Sequence, residues 1–543
     1  MTDCFMLQGN GDGGSNRISK AKRMIVRRSL AIGDALSATV VADKLIDRGF
    51  DVVFQTHPIS HPILRRHPRL YGVADPTAIP DVNLDGAYER NGRRRYLHFH
   101  QMFMQSANQQ LSHYGVRLGE ALNCHPRVVV TAQEKQYARD QLAGHPRPWI
   151  FICPRSDSYN VRQVPDWIWE QAASRIPGTK FWLGRHPAPQ GIVDLKANDI
   201  EFVLVWLSAA DLLITVDTGP MHLAAALGVP ILAINQSSSP DLHLSDQCDF
   251  NTVSPELDCL NCQANVCPKI PAMPPCQEID PVTIAHAVNK RFLKTVSAVI
   301  PIYRPSAATL NRCLLAVLPQ VDEVIVTQAA DGILPQGVIS NSKIRFIQKP
   351  QAFDIGFGRN VNFGFRHTGG NQVLVLNDDC YLDPNVVSHL RELMTPGVGI
   401  VAHLLRYPSG TIYFGGKPRG PAGFYHLDHN QINPSIQKPL EMENVCGCSF
   451  LIDRRAFYEG GCFDEEFSMY AEDDDLCMSV RKRGWKIVYT PLVQGIHEGS
   501  KSSKTLPDVA ARMHASNVRF GQKWNRYIHH NANVKGLGNF NYP

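Results

Sequence analysis

The chain has 543 residues, 44% of them hydrophobic and 19% charged; this is ordinary globular composition, too long for a single core, so several domains are expected. A formal charge of +5 with 21 His counted neutral suits an anionic substrate or a membrane surface and is too small to indicate nucleic-acid binding by itself. No apolar run reaches the length of a membrane span, the opening "MTDCFMLQGNGDGGSNRISKAKRM" lacks a signal-peptide core, and 14 Cys are too sparse for a disulfide scaffold; a cytosolic protein with reduced thiols is expected.

Residues 1–23 read as a loose, Gly-rich tail. From Met24, "MIVRRSLAIGDALSATVVADKLIDRGFDVVFQTH" gives a short apolar strand, a Gly turn, a helix, Gly49 and a second strand, which is a βαβ unit. The stretches "PWIFICPRS", "TKFWLGRHP" and "DLLITVDTGPMHLAAALGVPILAIN" repeat the alternation. The first half thus divides into lobes over 24–146 and 147–293, and a cleft between two such lobes suits a nucleotide-sugar or dinucleotide ligand. The alternation starts afresh with "VSAVIPIYRP", "VDEVIVTQ", "KIRFIQK" and "QVLVLNDD", which defines a third α/β unit over 294–526. The polar "NANVKGLGNFNYP" falls in a tail over 527–543.

"LLITVDTGPMHLAAALG" runs from a buried strand into a helix through Asp217, Thr218 and Gly219. Gly219 permits close backbone approach, and the free amides of a helix start attract an anion. Helix capping is the alternative for such a turn. In this order, "RRSLAIGDALSATVVADKL", "VRQVPDWIW" and "TVDTGPMHLAAALGVPILAI" resemble the lipopolysaccharide heptosyltransferases, glycosyltransferase family nine, of two-lobed GT-B fold. That resemblance covers about residues 24–290. It implies Asp34, in the Gly33–Asp34 turn, as catalytic base and Arg28 as a basic donor-side residue. Arg162 replaces the Lys of the family's Lys-Arg-Trp-Pro-like motif, which alters the phosphate contacts. Asp217, Thr218, Gly219, Met221 and His222 fall on the donor-binding turn. The implied chemistry is metal-free: a carboxylate takes the acceptor proton while Arg and a helix N-terminus stabilise the departing nucleoside diphosphate.

"DCLNCQANVCPKIPAMPPC" brings Cys259, Cys262, Cys267 and Cys276 together, the first two as Cys-x-x-Cys. Four such thiols suit a closed, structural zinc site outside catalysis; small buried residues in a Pro-rich loop are the alternative.

"VLVLNDDCYLDP" ends a buried strand in Asp378 and Asp379, well placed to hold a hard divalent cation, with an Asx turn as the plain alternative. Further on come "VCGCSFLIDRRAFYEGGCFDEEFSMYAEDDDLCMSVRKRGWKIVYTPLVQGIHEGS" and "NVRFGQKW". This order resembles glycosyltransferase family two, of GT-A fold, and especially its rhamnosyltransferase-like members, over about residues 296–526. The resemblance implies Asp379 as the main acid for Mn2+ or Mg2+, Asp378 near the donor ribose or the metal, and His497 as a further ligand. It implies Asp473 as catalytic base, Glu472 and Asp475 on the acceptor side, and Arg359, Asn362 and Gly364 on a donor-side loop. Gln328 stands where the family commonly has an Asp that holds the nucleobase; compensation by Asp331 and a different nucleotide contact are the alternatives. Crowding acids around the base would tune its pKa.

Together the resemblances imply a fused α/β protein, two Rossmann-like lobes of GT-B type followed by a GT-A domain. Both modules are expected to be inverting and to take nucleotide-sugar donors. Successive additions to a surface polysaccharide or lipopolysaccharide at the inner membrane face would account for the fusion through effective concentration. Three other readings compete: a single active GT-A enzyme with a GT-B acceptor scaffold, a transferase acting on hydroxylated DNA bases, and a non-enzymatic sugar-binding module. The basic "NGRRRYLHFH" at 91–100 permits the DNA reading, though such runs are usually solvated faces. Both bases and the metal acid argue against the sugar-binding one.

Overall fold

The computed structural model describes residues 22–531, apart from residues 30, 75–76, 90–96, 122–123, 157–160, 197–198, 273, 294, 329–333, 350–355, 421–422 and 500–507. Asp331, most of the 91–100 basic run, nearly all of the first tail and residues 532–543 of the second lie outside the described residues.

The first lobe is a parallel sheet of four strands, in the spatial order Gly72–Val73, Asp51–Gln55, Arg23–Arg27 and Val82–Asn83. Its central strands carry the apolar "MIV" and "VVF" runs. The helix Ile32–Ile46 crosses between them, and Gly49 at φ +87° takes the turn back into the sheet; that backbone conformation favours glycine. The second lobe is a parallel sheet of six strands, ordered Phe250–Val253, Ile231–Ile234, Leu212–Thr215, Trp149–Cys153, Thr179–Trp182 and Val193–Asp194. Its central strands are wholly buried because helices cover both faces, which is why they read as continuous apolar runs rather than alternating ones.

The third unit is a mixed sheet of ten strands. Ile344–Gln348, Glu323–Gln328, Val296–Ile302 and Gln372–Leu376 run parallel. Ser449–Asp453 then pairs antiparallel with Gln372–Leu376 and with Val398–Arg406, and Lys486–His497 follows beside the latter. The parallel half leads its chain to the strand ends that carry Asp378 and Asp379, and the antiparallel half brings His497 back beside them.

The units are fastened by buried ions. Asp249 of the second lobe accepts from Arg454 Nε at 3.1 Å and also pairs with Arg291. Asp246 pairs with Arg366 at 2.5 Å and Lys349 at 3.4 Å. Asn251 Nδ2 donates to the carbonyls of Arg366 and Thr368 at 2.9 and 3.0 Å. Burial opposes the charge on Asp246, but Arg366 and Lys349 outweigh it and bring the carboxyl down to about 2. From the first lobe, Lys44 reaches Glu466 of the third unit at 3.1 Å.

The last helix, Val509–Asn531, enters the stretch read as a tail. It docks through Arg519 and Lys523 on Asp464 at 2.8 and 2.9 Å, and through Trp524 Nε1 on Asp475 at 2.7 Å. No helix among the described residues is long and apolar enough to cross a membrane.

Candidate active sites

In the first site, the helix Ile32–Ile46 begins just after the first strand, so Asp34 lies in its first turn, where the helix dipole favours a carboxylate. Asp34 Oδ1 accepts from Tyr88 OH at 2.6 Å and Arg28 Nη2 at 3.2 Å. Arg28 is 0% exposed and also donates to Glu89 at 2.6 Å and to the Leu84 carbonyl at 3.0 Å. Burial works against its charge, but the Glu89 hydrogen bond and Asp34 raise the guanidinium above its usual range. Arg28 is therefore not the donor contact expected from the sequence: its fork is spent inside the lobe, holding Asp34 in place.

Across the cleft, the helix Gly219–Leu227 starts at Thr218 without a side-chain cap, leaving early amides for an anion. Among the described residues nothing crowds Gly219, whose added Cβ would meet only Ile32 at 3.9 Å. Asp217 faces Arg162 Nη1 at 2.9 Å, His222 Nε2 at 3.7 Å and His243 Nε2 at 3.9 Å. Burial opposes ionisation there, yet His243, Arg162 and His222 hold the carboxyl far below its usual range. Asp217, His222 and His243 are close enough to share an ion, but Arg162 already supplies a cation at that carboxylate. His222 also meets Ser37 across the lobes, Nδ1 to Oγ 3.3 Å. A Cβ on Gly33 would come within 2.5 Å of the His222 ring, so the glycine beside Asp34 is what lets the lobes close. Met221 corrects another expectation: it is wholly buried in the lobe core, among side chains such as Leu223 and Phe250.

In the third unit, the strand Gln372–Leu376 delivers Asp378 and Asp379 at its end. Antiparallel pairing sets Cys380 opposite His497, which brings His497 Nε2 to 3.2 Å from Asp379 Oδ1. One donor atom each from Asp379, Cys380 and His497 lies within 4.8 Å of the others, all three residues buried. Burial and the Asp379 charge push Asp378 up to about 7, and among the described residues His497 Nδ1 is buried with no hydrogen-bond partner. Two adjacent carboxylates and an imidazole suit a divalent cation such as Mn2+ or Mg2+, which would reverse the push on Asp378.

The four acids at the start of the helix Glu472–Lys482 have separate fates. Asp473 Oδ2 accepts from Lys417 Nζ at 3.1 Å and from the Gly447 amide at 2.9 Å. Asp474 takes the same Lys417 at 2.5 Å. Burial opposes the charge on Asp473, but Lys417 and the Gly447 amide hold its carboxyl below the usual value. Burial, then Asp473, pushes Glu472 up to about 8, and burial raises Asp474 to about 6. The group is thus split in tendency: Lys417 and the Gly447 amide favour the charge on Asp473, while burial and Asp473 disfavour a charge on Glu472. Asp475, expected on the acceptor side, is 1% exposed and bound by Lys523 and Trp524; its carboxylate anchors the last helix instead.

Lys417 was not visible from the sequence. It lies 56 residues before Asp473 and arrives through a bridge with Asn444, which also brings Gly447 in. Removing this cation lets the Asp473 pKa rise, so the ionised base is lost at a higher pH. Lys417→Met should move the acid limb of the transfer pH profile upward, and an unmoved limb would separate Lys417 from the base.

The donor-side loop expected at Arg359, Asn362 and Gly364 forms a packed helix, Phe357–Arg366. Asn362 is wholly buried, giving Nδ2 to the Phe463 carbonyl at 2.9 Å and taking the Phe463 amide at 3.0 Å. Arg359 Nε donates to the Glu465 carbonyl at 2.7 Å. A Cβ on Gly364 would lie 2.6 Å from Val299 and Thr327, so that glycine serves helix-to-sheet contact. Asn362 and Gly364 are thus corrected from donor contacts to structural residues that support the segment leading to the acidic helix.

Cys259, Cys262, Cys267 and Cys276 are neighbours: burial, then Cys262 and Cys267, raises Cys276 to about 11. Among the described residues, no three of their sulfurs lie within 4.8 Å of one another, and zinc binding by these thiols stays a proposal from their spacing.

Residues 297–461 match the family model described as Glycosyl transferase family 2, and residues 199–271 match Glycosyltransferase family 9 (heptosyltransferase). Two separate segments of the chain thus match two glycosyltransferase family models. The chain is 26% identical over 206 residues to the N-acetylglucosaminyl-diphospho-decaprenol L-rhamnosyltransferase of Mycobacterium tuberculosis, covering 32% of this chain and 65% of that protein. It is also similar to the O-antigen biosynthesis protein RfbC of Myxococcus xanthus, at 27% identity over 153 residues, 26% of this chain and 12% of that one. Among solved structures, the ADP-heptose lps heptosyltransferase II of E. coli aligns with 49% of this chain and 97% of its own, with 14% identity and a TM-score of 0.36. The chain therefore spans 65% of the length of the mycobacterial relative.

Proposed function

We propose that the chain is a glycosyltransferase of two modules that transfers sugars from nucleotide-sugar donors to a growing surface polysaccharide or lipopolysaccharide. The observation that carries this reading is the buried carboxylate and imidazole at the strand end, His497 Nε2 3.2 Å from Asp379 Oδ1 with Asp378 beside it, in the same unit as Asp473 held by Lys417 and the Gly447 amide. Tyr413 packs beside this group, its ring centroid 4.3 Å from that of His497, and its carbonyl takes His426 Nδ1 at 3.1 Å.

In the family 2 module, Asp473 takes the acceptor hydroxyl proton as the acceptor oxygen bonds to the sugar anomeric carbon and the bond to the nucleoside diphosphate breaks, an inverting displacement. Lys417 and the Gly447 amide orient the base and favour its ionised form, and burial with the Asp473 charge disfavours a second charge on Glu472 beside it. Asp378, Asp379 and His497 would hold Mn2+ or Mg2+, which supplies charge stabilisation for the leaving diphosphate.

In the family 9 module, Asp34 is the base, clamped by Arg28 and Tyr88. Arg162 and the open amides after Thr218 would receive the leaving diphosphate without a metal. The acceptor is a glycan or glycolipid, which fits the mycobacterial relative's name and an enzyme working at the inner membrane face.

Calorimetric titration of a nucleoside diphosphate with and without Mn2+ tests the metal assignment. Wild-type protein should bind more tightly with the metal, and Asp379→Ala should lose that increment while keeping metal-free binding at the Thr218 turn. Equal Mn2+ dependence in both proteins would contradict the assignment.

A further inference from the structure

Two thiols that the transfer chemistry does not use flank the glycine that holds the base. Cys446 and Cys448 are 4% and 8% exposed, their sulfurs lie 3.2 Å apart, and the intervening Gly447 amide is the one that donates to Asp473 at 2.9 Å. The fit is tight: a Cβ on Gly447 would lie 3.2 Å from the Asp473 Cβ. Tyr413 lies with its hydroxyl 3.6 Å from Cys448 Sγ. Hydrogen bonding with Cys448 and, against burial, with His426 holds the Cys446 thiol well below the usual thiol range, and the thiolate is the reactive form.

We infer that Cys446 and Cys448 are an oxidisable dithiol whose disulfide withdraws the Gly447 amide from Asp473 and slows transfer in the family 2 module. With a peroxide as oxidant the step balances. The Cys446 thiolate attacks one peroxide oxygen to give a sulfenic acid, and the released hydroxide takes up a proton as water. Cys448 then attacks the sulfenic sulfur, an S–S bond forms, the S–O bond breaks, and the second oxygen leaves as water with the Cys448 proton. Two thiols and one peroxide become one disulfide and two waters. The sulfurs must close to about 2.05 Å, and the backbone between them, which is Gly447, has to follow.

The gating half of this inference rests on Asp473 being the base, whereas the dithiol half does not, and the test separates them. The full chain is treated with hydrogen peroxide, its free thiols are alkylated, and the peptide holding residues 446 and 448 is weighed. The expected result is a loss of two hydrogens restored by dithiothreitol, absent from Cys446→Ser and Cys448→Ser, with faster hydrogen exchange at the Gly447 amide. Transfer that depends on Asp473 should fall about tenfold or more, since a general base contributes roughly 10²–10⁴. Alkylation of both thiols after peroxide, or a disulfide to another cysteine such as Cys380, would overturn the dithiol. An oxidised chain with unchanged exchange and undiminished transfer would overturn the gate. If the reduced chain transfers no sugar, the functional reading fails, while the mass and exchange results still decide the dithiol.

Discussion

Asp473→Asn is expected to lower transfer by the family 2 module roughly 10²–10⁴-fold, the usual worth of a positioned general base, with donor binding unchanged. The substitution keeps the volume and an oxygen for the Gly447 amide and Lys417, so the surroundings should hold. What is lost is the ability to accept a proton near pH 7. Glu472, pushed up to about 8 by burial and by Asp473, should become easier to ionise once the Asp473 charge is gone, and residual transfer should then rise with pH. Single-turnover rates across pH separate this from a binding defect, because a defect in donor binding would raise KM and leave the rate at saturation intact.

The second large effect is structural. Arg454 is buried and fully used: Nε to Asp249, Nη1 to the Thr368 hydroxyl at 2.7 Å and to the Gly370 carbonyl at 3.2 Å, Nη2 to the Thr368 carbonyl at 2.9 Å. Arg454→Met retains most of the volume and leaves Asp249 with Arg291 alone and the Gly370 carbonyl without its donor, while the Thr368 carbonyl keeps only Asn251. Breaking one side of a buried ion pair costs about 3–5 kcal/mol, and the loss falls on the contact between the second lobe and the family 2 module. Denaturant unfolding should show a lower midpoint, and proteolysis should cut between the modules sooner. An unchanged midpoint would mean that the ions at Asp249 contribute nothing net to the joint.

Much of this fold is legible in the sequence because buried parallel strands need continuous apolar runs, and "FICP", "LLIT" and "VLVL" supply them. The acids at strand ends were legible for the same reason, since a strand's end is where a run stops: Asp217, Asp378 and Asp379 all follow one. Partners supplied by distant chain were not. Lys417, Tyr88 and His243 carry no local motif, and only the tertiary pairing of Lys417 with Asn444 or the approach of Phe99 to His243, 3.9 Å between rings, brings them in. Arg28, Met221, Asn362 and Asp475 show the converse. Each falls on a motif position, but which way a side chain faces is decided by what packs over it. For Asp475 that is Trp524, 49 residues later, and for Asn362 it is the Phe463 backbone.

The most direct measurement is a nucleotide-sugar transfer screen, with and without Mn2+, on the wild type and on Asp34→Ala and Asp473→Ala separately. Two working sites predict that each substitution removes activity on a different donor, and that only the activity lost with Asp473 needs the metal. If Asp34→Ala leaves transfer from every donor intact, the first two lobes serve as an acceptor scaffold and the claim of two active modules is wrong.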